Sequence, residues 1–347
     1  MEGMSGPGTG DGGSGYFSNP RPLSRCPTPP LCVLVIDAEE DFDWTSPAQG
    51  TFFTTNCMRQ VRELQDLVSA FGVRPSYLLT YPVLDDQEVV RIVQRQFDRG
   101  ECDLGAQLHP WVNPPLGSEL GSDSSFVGSL SPEAEERKLL ALKAKFRDCF
   151  GHDPVSFRAG RYGLGQRTTR LLEKHGFLVD TSLAPRTNLT SEKGPNFAEF
   201  DCDPFWFGDD RDLLEVPLCR TLTGWGGAAG AYIYEKLSKP TFARLSGRSM
   251  LSRLRYAERI TLSPEGNDGP SMVRFLRNRL AKGQRLFSLS CHSSSLTIGR
   301  NPYVQSKADL HTFYDRLSGV LDIMQSRLGF RFVVLSELPS VLTDASR

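Results

Sequence analysis

The chain has 347 residues, of which 39% are hydrophobic and 23% charged, with a formal net charge of −1. That composition is the one a globular protein uses, and so balanced a charge offers no footing for nucleic acid or for an acidic membrane surface. No apolar run approaches the roughly 20 residues that cross a bilayer, so no membrane span is expected, and nothing in the composition speaks to oligomeric state. The first 30 residues are rich in Gly, Ser and Pro. They carry neither a basic region nor an apolar core, so they read as a disordered tail and not as a secretory signal. Eight cysteines are scattered without a C-x-x-C pair. With no signal ahead of them, they read as reduced thiols of a cytoplasmic protein.

Residues 31–347 then read as one domain. Short β-rich runs fall at 31–37, 76–80, 102–108, 155–160, 177–182, 213–218, 285–292 and 330–338. Helix-length stretches fall between most of them, at 57–71, 87–99, 131–149, 166–175, 268–282 and 307–328. The helix near 131 opens "SPEAEE", a Ser cap, a Pro at the first helical position and acids in the first turn. Strand–helix alternation of this kind builds a parallel sheet covered on both faces. Seven or eight units predict an irregular β/α barrel, with an open doubly wound sheet as the competitor. The stretch 183–267 is the least regular and is expected to form long loops and a few short helices.

In a parallel barrel the chemistry sits where strands end at their C-termini. The first run, "LCVLVID", drives into Asp37, Glu39, Glu40, Asp41 and Asp43, five acids in seven positions. Like charges so placed cost stability unless a cation or a reaction uses them. The third strand ends at Gln107, His109 and Trp111, the fourth at Arg158, Arg161 and Tyr162, the fifth at Asp180 and the seventh at His292. A carboxylate and an imidazole can hold a divalent ion that activates water, a second carboxylate can take the proton, and a separate histidine can protonate a leaving group. Cys291 adjoins His292, but strand neighbours face opposite sides and pair poorly. No G-x-S-x-G elbow exists for a serine nucleophile. Trp111, Trp206, Trp225 and Tyr303 offer flat faces for sugar rings. Glu265, in "LSPEG", falls near the rim without an evident role.

The ordered motifs "IDAEEDFDW", "GAQLHPWVNPP", "FRAGRYG", "DTS" and "FSLSCHSSSL…NPYV" resemble the polysaccharide deacetylase superfamily, also called NodB-homology or carbohydrate esterase family 4, and within it the WalW-like branch. The resemblance covers about residues 31–340. It implies an irregular (β/α)7 barrel and hydrolytic removal of an acetyl group from a sugar, here an N-acetylated sugar of a glycan precursor. Carried onto this chain, it makes Asp37 the base, Arg158 its clamp, His292 the general acid and Asp180 the acid that orients His292. Trp111 and Tyr162 would contact substrate, the backbone near Tyr162 helping to hold the oxyanion. Glu39, with Glu40 as alternative, and His109 would bind a divalent metal, zinc or another. The family's two-histidine metal motif is reduced to His109 alone. The neighbouring Gln107 and Asn113 are poor zinc ligands, which favours a weaker or harder ion or none. Two other readings stay open: an amidohydrolase on a small non-sugar amide, and a barrel that binds glycan without turnover.

Overall fold

A computed structural model describes residues 15–23, 27–42, 44, 53–116, 125–209, 212–224, 226, 230, 233 and 256–344. Seven strands form its centre: β1 (Leu31–Ala38), β2 (Pro75–Leu79), β3 (Asp103–Leu108), β4 (Ser156–Ala159), β5 (Val179–Asp180), β6 (Leu213–Glu215) and β7 (Leu286–His292). They lie side by side in the order β7-β1-β2-β3-β4-β5-β6, every pair parallel, so the sheet curls into the barrel that the sequence predicts. Among the described residues six longer helices cover it: α1 (Val61–Ser69), α2 (Gln87–Asp98), α3 (Pro132–Phe150), α4 (Gln166–Lys174), α5 (Gly269–Ala281) and α6 (Lys307–Ser326). The curl does not close by a ladder between β6 and β7. Pro217, which has no N–H to give, occupies the seam, and Ser288 of β7 bridges it by donating to Pro217 O (2.7 Å) and accepting from Cys219 N (3.1 Å).

Alternation along the strands sets two cores. Leu31, Val33 and Val35 face the barrel interior with Leu78, Val179, Leu214 and Leu286. Cys32, Leu34, Ile36 and Ala38 face outward, toward the helices, with Val61, Leu64, Phe146 and Leu172. Both faces of β1 are therefore buried, which is why its sequence is continuously apolar. Side chains stop the helices from fraying at their starts. Asp86 accepts from Glu88 N and Val89 N ahead of α2, Ser131 from Ala134 N ahead of α3, and Asp268 from Ser271 N ahead of α5.

Two expectations need correction. The tail expected to be disordered over 1–30 is structured at residues 15–23. Phe17, only 2% exposed, meets the rings of Phe200, Phe205 and Phe207 edge-on, and Arg21–Pro22 pairs antiparallel with Phe205–Phe207. Three buried aromatic partners return enough apolar burial to order a Gly-rich segment. The eighth run, expected as a strand over 330–338, shortens to Arg331–Phe332 and continues into helical turns. No described helix is long and apolar enough to cross a membrane.

Candidate active site

The same alternation that buries Leu31, Val33 and Val35 inside the barrel carries Asp37 and Glu39 to its mouth. On β7 it carries Leu286, Ser288, Ser290 and His292, and the register sets His292 directly beside Asp37. Gln107 and Arg158 are likewise register partners on β3 and β4. These side chains line a cavity of about 540 Å3, whose wall includes Asp37, Glu39, His109, Arg158, Glu265 and His292. Tyr162, Trp44, Arg220 and Tyr303 complete the wall.

Asp37, 2% exposed, is held from two sides. Arg158 Nη1 donates to its Oδ1, and His292 Nε2 stands 3.3 Å from its Oδ2. Arg158 is itself fixed, since Nε donates to Thr181 O (3.0 Å) and Nη2 to Thr181 Oγ1 (2.8 Å). The Tyr162 ring lies over that guanidinium, 5.5 Å from centroid to carbon. Burial pushes the Tyr162 phenol up to about 12 despite the cation below it. Arg161 and Tyr162 both adopt left-handed φ, 54° and 56°, a conformation that costs energy in non-Gly residues and is characteristic of functional sites.

His292 meets Glu265 on its other edge, with Nδ1 2.8 Å from Glu265 Oε2. Burial alone would depress this imidazole. Glu265, then Glu39 and Asp37, outweigh it and raise its pKa to about 10, so His292 carries a proton on both nitrogens at neutral pH. Sequence reasoning gave Glu265 no part. It arrives from a loop following the ribbon strand Glu258–Thr261, which pairs with Arg220–Thr223 outside the barrel.

A second cluster surrounds His109, which is 1% exposed. Its Nδ1 lies 2.7 Å from Glu40 Oε1, its Nε2 lies 3.2 Å from Gln107 Nε2 and 3.6 Å from Glu39 Oε2, and its ring stacks on Trp111 at 4.3 Å. Burial opposes ionisation of Glu40, but His109 wins and holds it below the usual carboxylate range. Glu39 has only the longer approach of His109 and the charge of His292 against its burial, and burial wins, pushing it up to about 8. Glu39 Oε1 and Gln107 Oε1 are buried without a hydrogen bond. This donor chemistry fits a divalent ion. Two donors on one tetrahedral centre sit roughly 3.3 Å apart, close to the Glu39–His109 separation, and a carboxylate behind the far nitrogen of a ligating imidazole is the usual support. Glu39 and His109 would hold the ion, with Gln107 Oε1 near enough to assist after an amide flip. Among the described residues no group of three or more His, Cys, Asp or Glu is arranged for a metal.

Several expected roles move. Glu40 is not a metal ligand facing the cavity but the support behind His109. Trp111 stacks on His109 and stands outside the residues that wall this cavity. Asn113 is committed to Pro114 O and Lys138 O. Asp41 turns away to accept from Thr54 Oγ1 and Asn56 N. Asp43 and Trp225 lie outside the described residues.

Asp180 does not orient His292. Val179 faces the barrel interior, so the next residue faces the other way. There Asp180 Oδ1 accepts from Ser182 Oγ (2.5 Å), and the carboxyl pairs with Glu215, its register partner on β6. Burial raises both acids: it carries Asp180 to about 6 against the hydrogen bond from Glu215, and, together with the charge of Asp180, it lifts Glu215 well above its ordinary value. The folded state therefore holds protons that the unfolded chain releases near pH 4, and stability falls as pH rises through about 6 and beyond. Glu215→Gln removes one ionisable member yet still accepts the Leu183 N–H that Glu215 Oε1 now takes at 3.1 Å. Relative to wild type it is expected to gain about 1–3 kcal/mol between pH 4 and pH 8, because a titration displaced by one pH unit is worth about 1.4 kcal/mol. Urea unfolding at both pH values reads the gain, and a pH-independent difference would remove the shared-proton account.

No protein-family profile and no curated protein matches the chain. Solved structures do. A candidate polysaccharide deacetylase from Mycobacterium smegmatis superposes with a TM-score of 0.53 at 16% identity, over 95% of this chain and 96% of the other. Puue allantoinase gives 0.53 at 14% identity, over 95% and 96%. A candidate polysaccharide deacetylase from Pseudomonas aeruginosa PAO1 gives 0.51 at 12%, over 90% and 91%. At these identities the likeness establishes the fold, a single-domain barrel of the polysaccharide deacetylase type.

Proposed function

We propose that this chain is a hydrolase of the polysaccharide deacetylase type, of its WalW-like branch, that removes an acetyl group from an N-acetylated sugar of a cytoplasmic glycan precursor. The observation that carries the reading is Asp37 held between Arg158 and His292 at the floor of the cavity. The motif order and the deacetylase-type neighbours support it.

In this reading Asp37 takes a proton from the attacking water as its oxygen bonds to the acetyl carbon. A divalent ion held by Glu39 and His109 would supply Lewis acidity to the acyl oxygen. The backbone beside Tyr162 would donate to the developing oxyanion. His292, already protonated, gives its Nε2 proton to the departing amine as the carbon–nitrogen bond breaks. The two steps are coupled. Protonation of Asp37 removes one of the charges that hold the proton on His292, so the base step makes the acid step easier. Tyr303 and Trp44, in edge contact at 5.9 Å, offer the apolar faces of the wall for a sugar ring.

The test is acetate release from N-acetylglucosamine oligomers and nucleotide-linked N-acetyl sugars, with elemental analysis of the purified protein alongside. Release above the blank, with a metal at near-stoichiometric content, is expected. A small-amide hydrolase is favoured instead by one observation, the equal structural likeness to an allantoinase, and ureide hydrolysis without acetate release would select it.

A further inference from the structure

We propose that Glu265 is the positioning residue for His292, taking the place that the motif order gives to Asp180. This rests on His292 as the proton donor of the reaction above, but the geometry stands without it. Glu265 uses both carboxylate oxygens on the same residue. Oε2 faces the ring Nδ1 at 2.8 Å, and Oε1 accepts the His292 backbone N–H, also at 2.8 Å. Ring and main chain are thus fixed relative to one another, and Nε2 is left directed at Asp37, 3.3 Å away.

The carboxylate is in turn braced. Ser295 Oγ donates to Oε1, and Asn301 Nδ2 donates to Ser295 Oγ, both at 2.5 Å. Asn301 Oδ1 accepts from Tyr303 N and Val304 N, each at 3.0 Å, which ties the brace to the chain after β7. From its own side, Glu265 N donates to Ser263 Oγ (3.1 Å). Gly266, at φ +70°, turns the loop where a Cβ would press on the Tyr303 ring. Glu265 is 8% exposed, and among the described residues its one ion pair is with His292. A buried carboxylate this constrained, with a single imidazole as its cationic partner, fixes the ring angle and stabilises the imidazolium as the acid of a catalytic triad does.

The groups facing His292 are Asp37 from β1 and Glu39 just after it, Glu265 from the loop, Arg158 behind Asp37 and the edge of Trp44. Of these, Glu265 acts most strongly on the imidazole. The test follows the 15N signals of the His292 ring through a pH titration, with assignment by loss of the signal in His292→Asn. Glu265→Gln is expected to lower the His292 midpoint by at least one pH unit, whereas Asp180→Asn leaves it in place. Coincident Glu265→Gln and wild-type titrations would overturn the proposal, as would an equal displacement in Asp180→Asn. This readout needs no substrate, so a wild-type protein that hydrolyses nothing defeats the deacetylase reading and leaves Glu265 decided separately. In turnover, Glu265→Gln should lower kcat by about 10–100-fold with KM changed less than twofold, and move the alkaline limb to lower pH. If Glu265→Gln does not fold, Glu265→Asp keeps the charge and shortens the reach. It should keep the high midpoint and still lose kcat, and an undiminished kcat there would refute positioning.

Discussion

Asp37→Asn is expected to reduce acetate release by about 10²–10⁴-fold, the range over which a positioned base contributes. The substitution is isosteric. The amide oxygen can still accept from Arg158, and Arg158 keeps its two bonds to Thr181. What disappears is a group able to take a proton beside His292. The loss should therefore fall on kcat, with KM little changed, because the cavity wall keeps its shape. Circular dichroism and urea unfolding establish that the variant is folded. A folded Asp37→Asn with a rate within threefold of wild type would move the base elsewhere. Glu39 is then the next carboxylate in the same cavity, and burial already holds its proton up to about 8.

The site residues that were legible in the sequence share one property: they continue a strand whose alternation is visible. Leu31, Val33 and Val35 announce an inward face, and Asp37 follows in phase. Leu286, Ser288 and Ser290 do the same for His292. The phase argument that set Cys291 aside also applies to Asp180, once Val179 is taken as the inward residue. With β5 only two residues long, the run 177–182 contains no repeat from which to read that phase. Glu265 had no periodic signal at all. It belongs to a loop beyond a two-stranded ribbon that packs beside the barrel, and its only local mark is the following Gly266 at a left-handed turn. For Trp111 the sequence does not disclose that its ring stacks on His109, two residues before it. Tyr16 and Phe17 were the signal missed in the tail, two large aromatics in a stretch otherwise built of small residues. Such side chains are ordered when they find a core, and Phe17 does.

Removing the cation of the central pair should be the most damaging single change to the fold. Arg158→Ala is expected to destabilise the protein by about 3–5 kcal/mol, the scale for breaking a buried ion pair from one side. Arg158 is 1% exposed and Asp37 2%, so the pair is desolvated and the lost guanidinium is a large part of what compensates the Asp37 charge. The variant leaves the Asp37 carboxylate to His292 alone and leaves Thr181 O and Thr181 Oγ1 without their donors. It also opens a hole beneath the Tyr162 ring. Urea unfolding should show a lower midpoint with an unchanged slope. The pairing predicts more than a bad single mutant. Arg158→Met combined with Asp37→Asn removes both charges and fills most of the volume, so the double variant should be destabilised by less than the sum of its parts, with a coupling of about 1–3 kcal/mol. Strict additivity would mean that the two side chains, though adjacent, contribute independently. Asp37 would then owe its position to His292 and to the β1 register, not to Arg158.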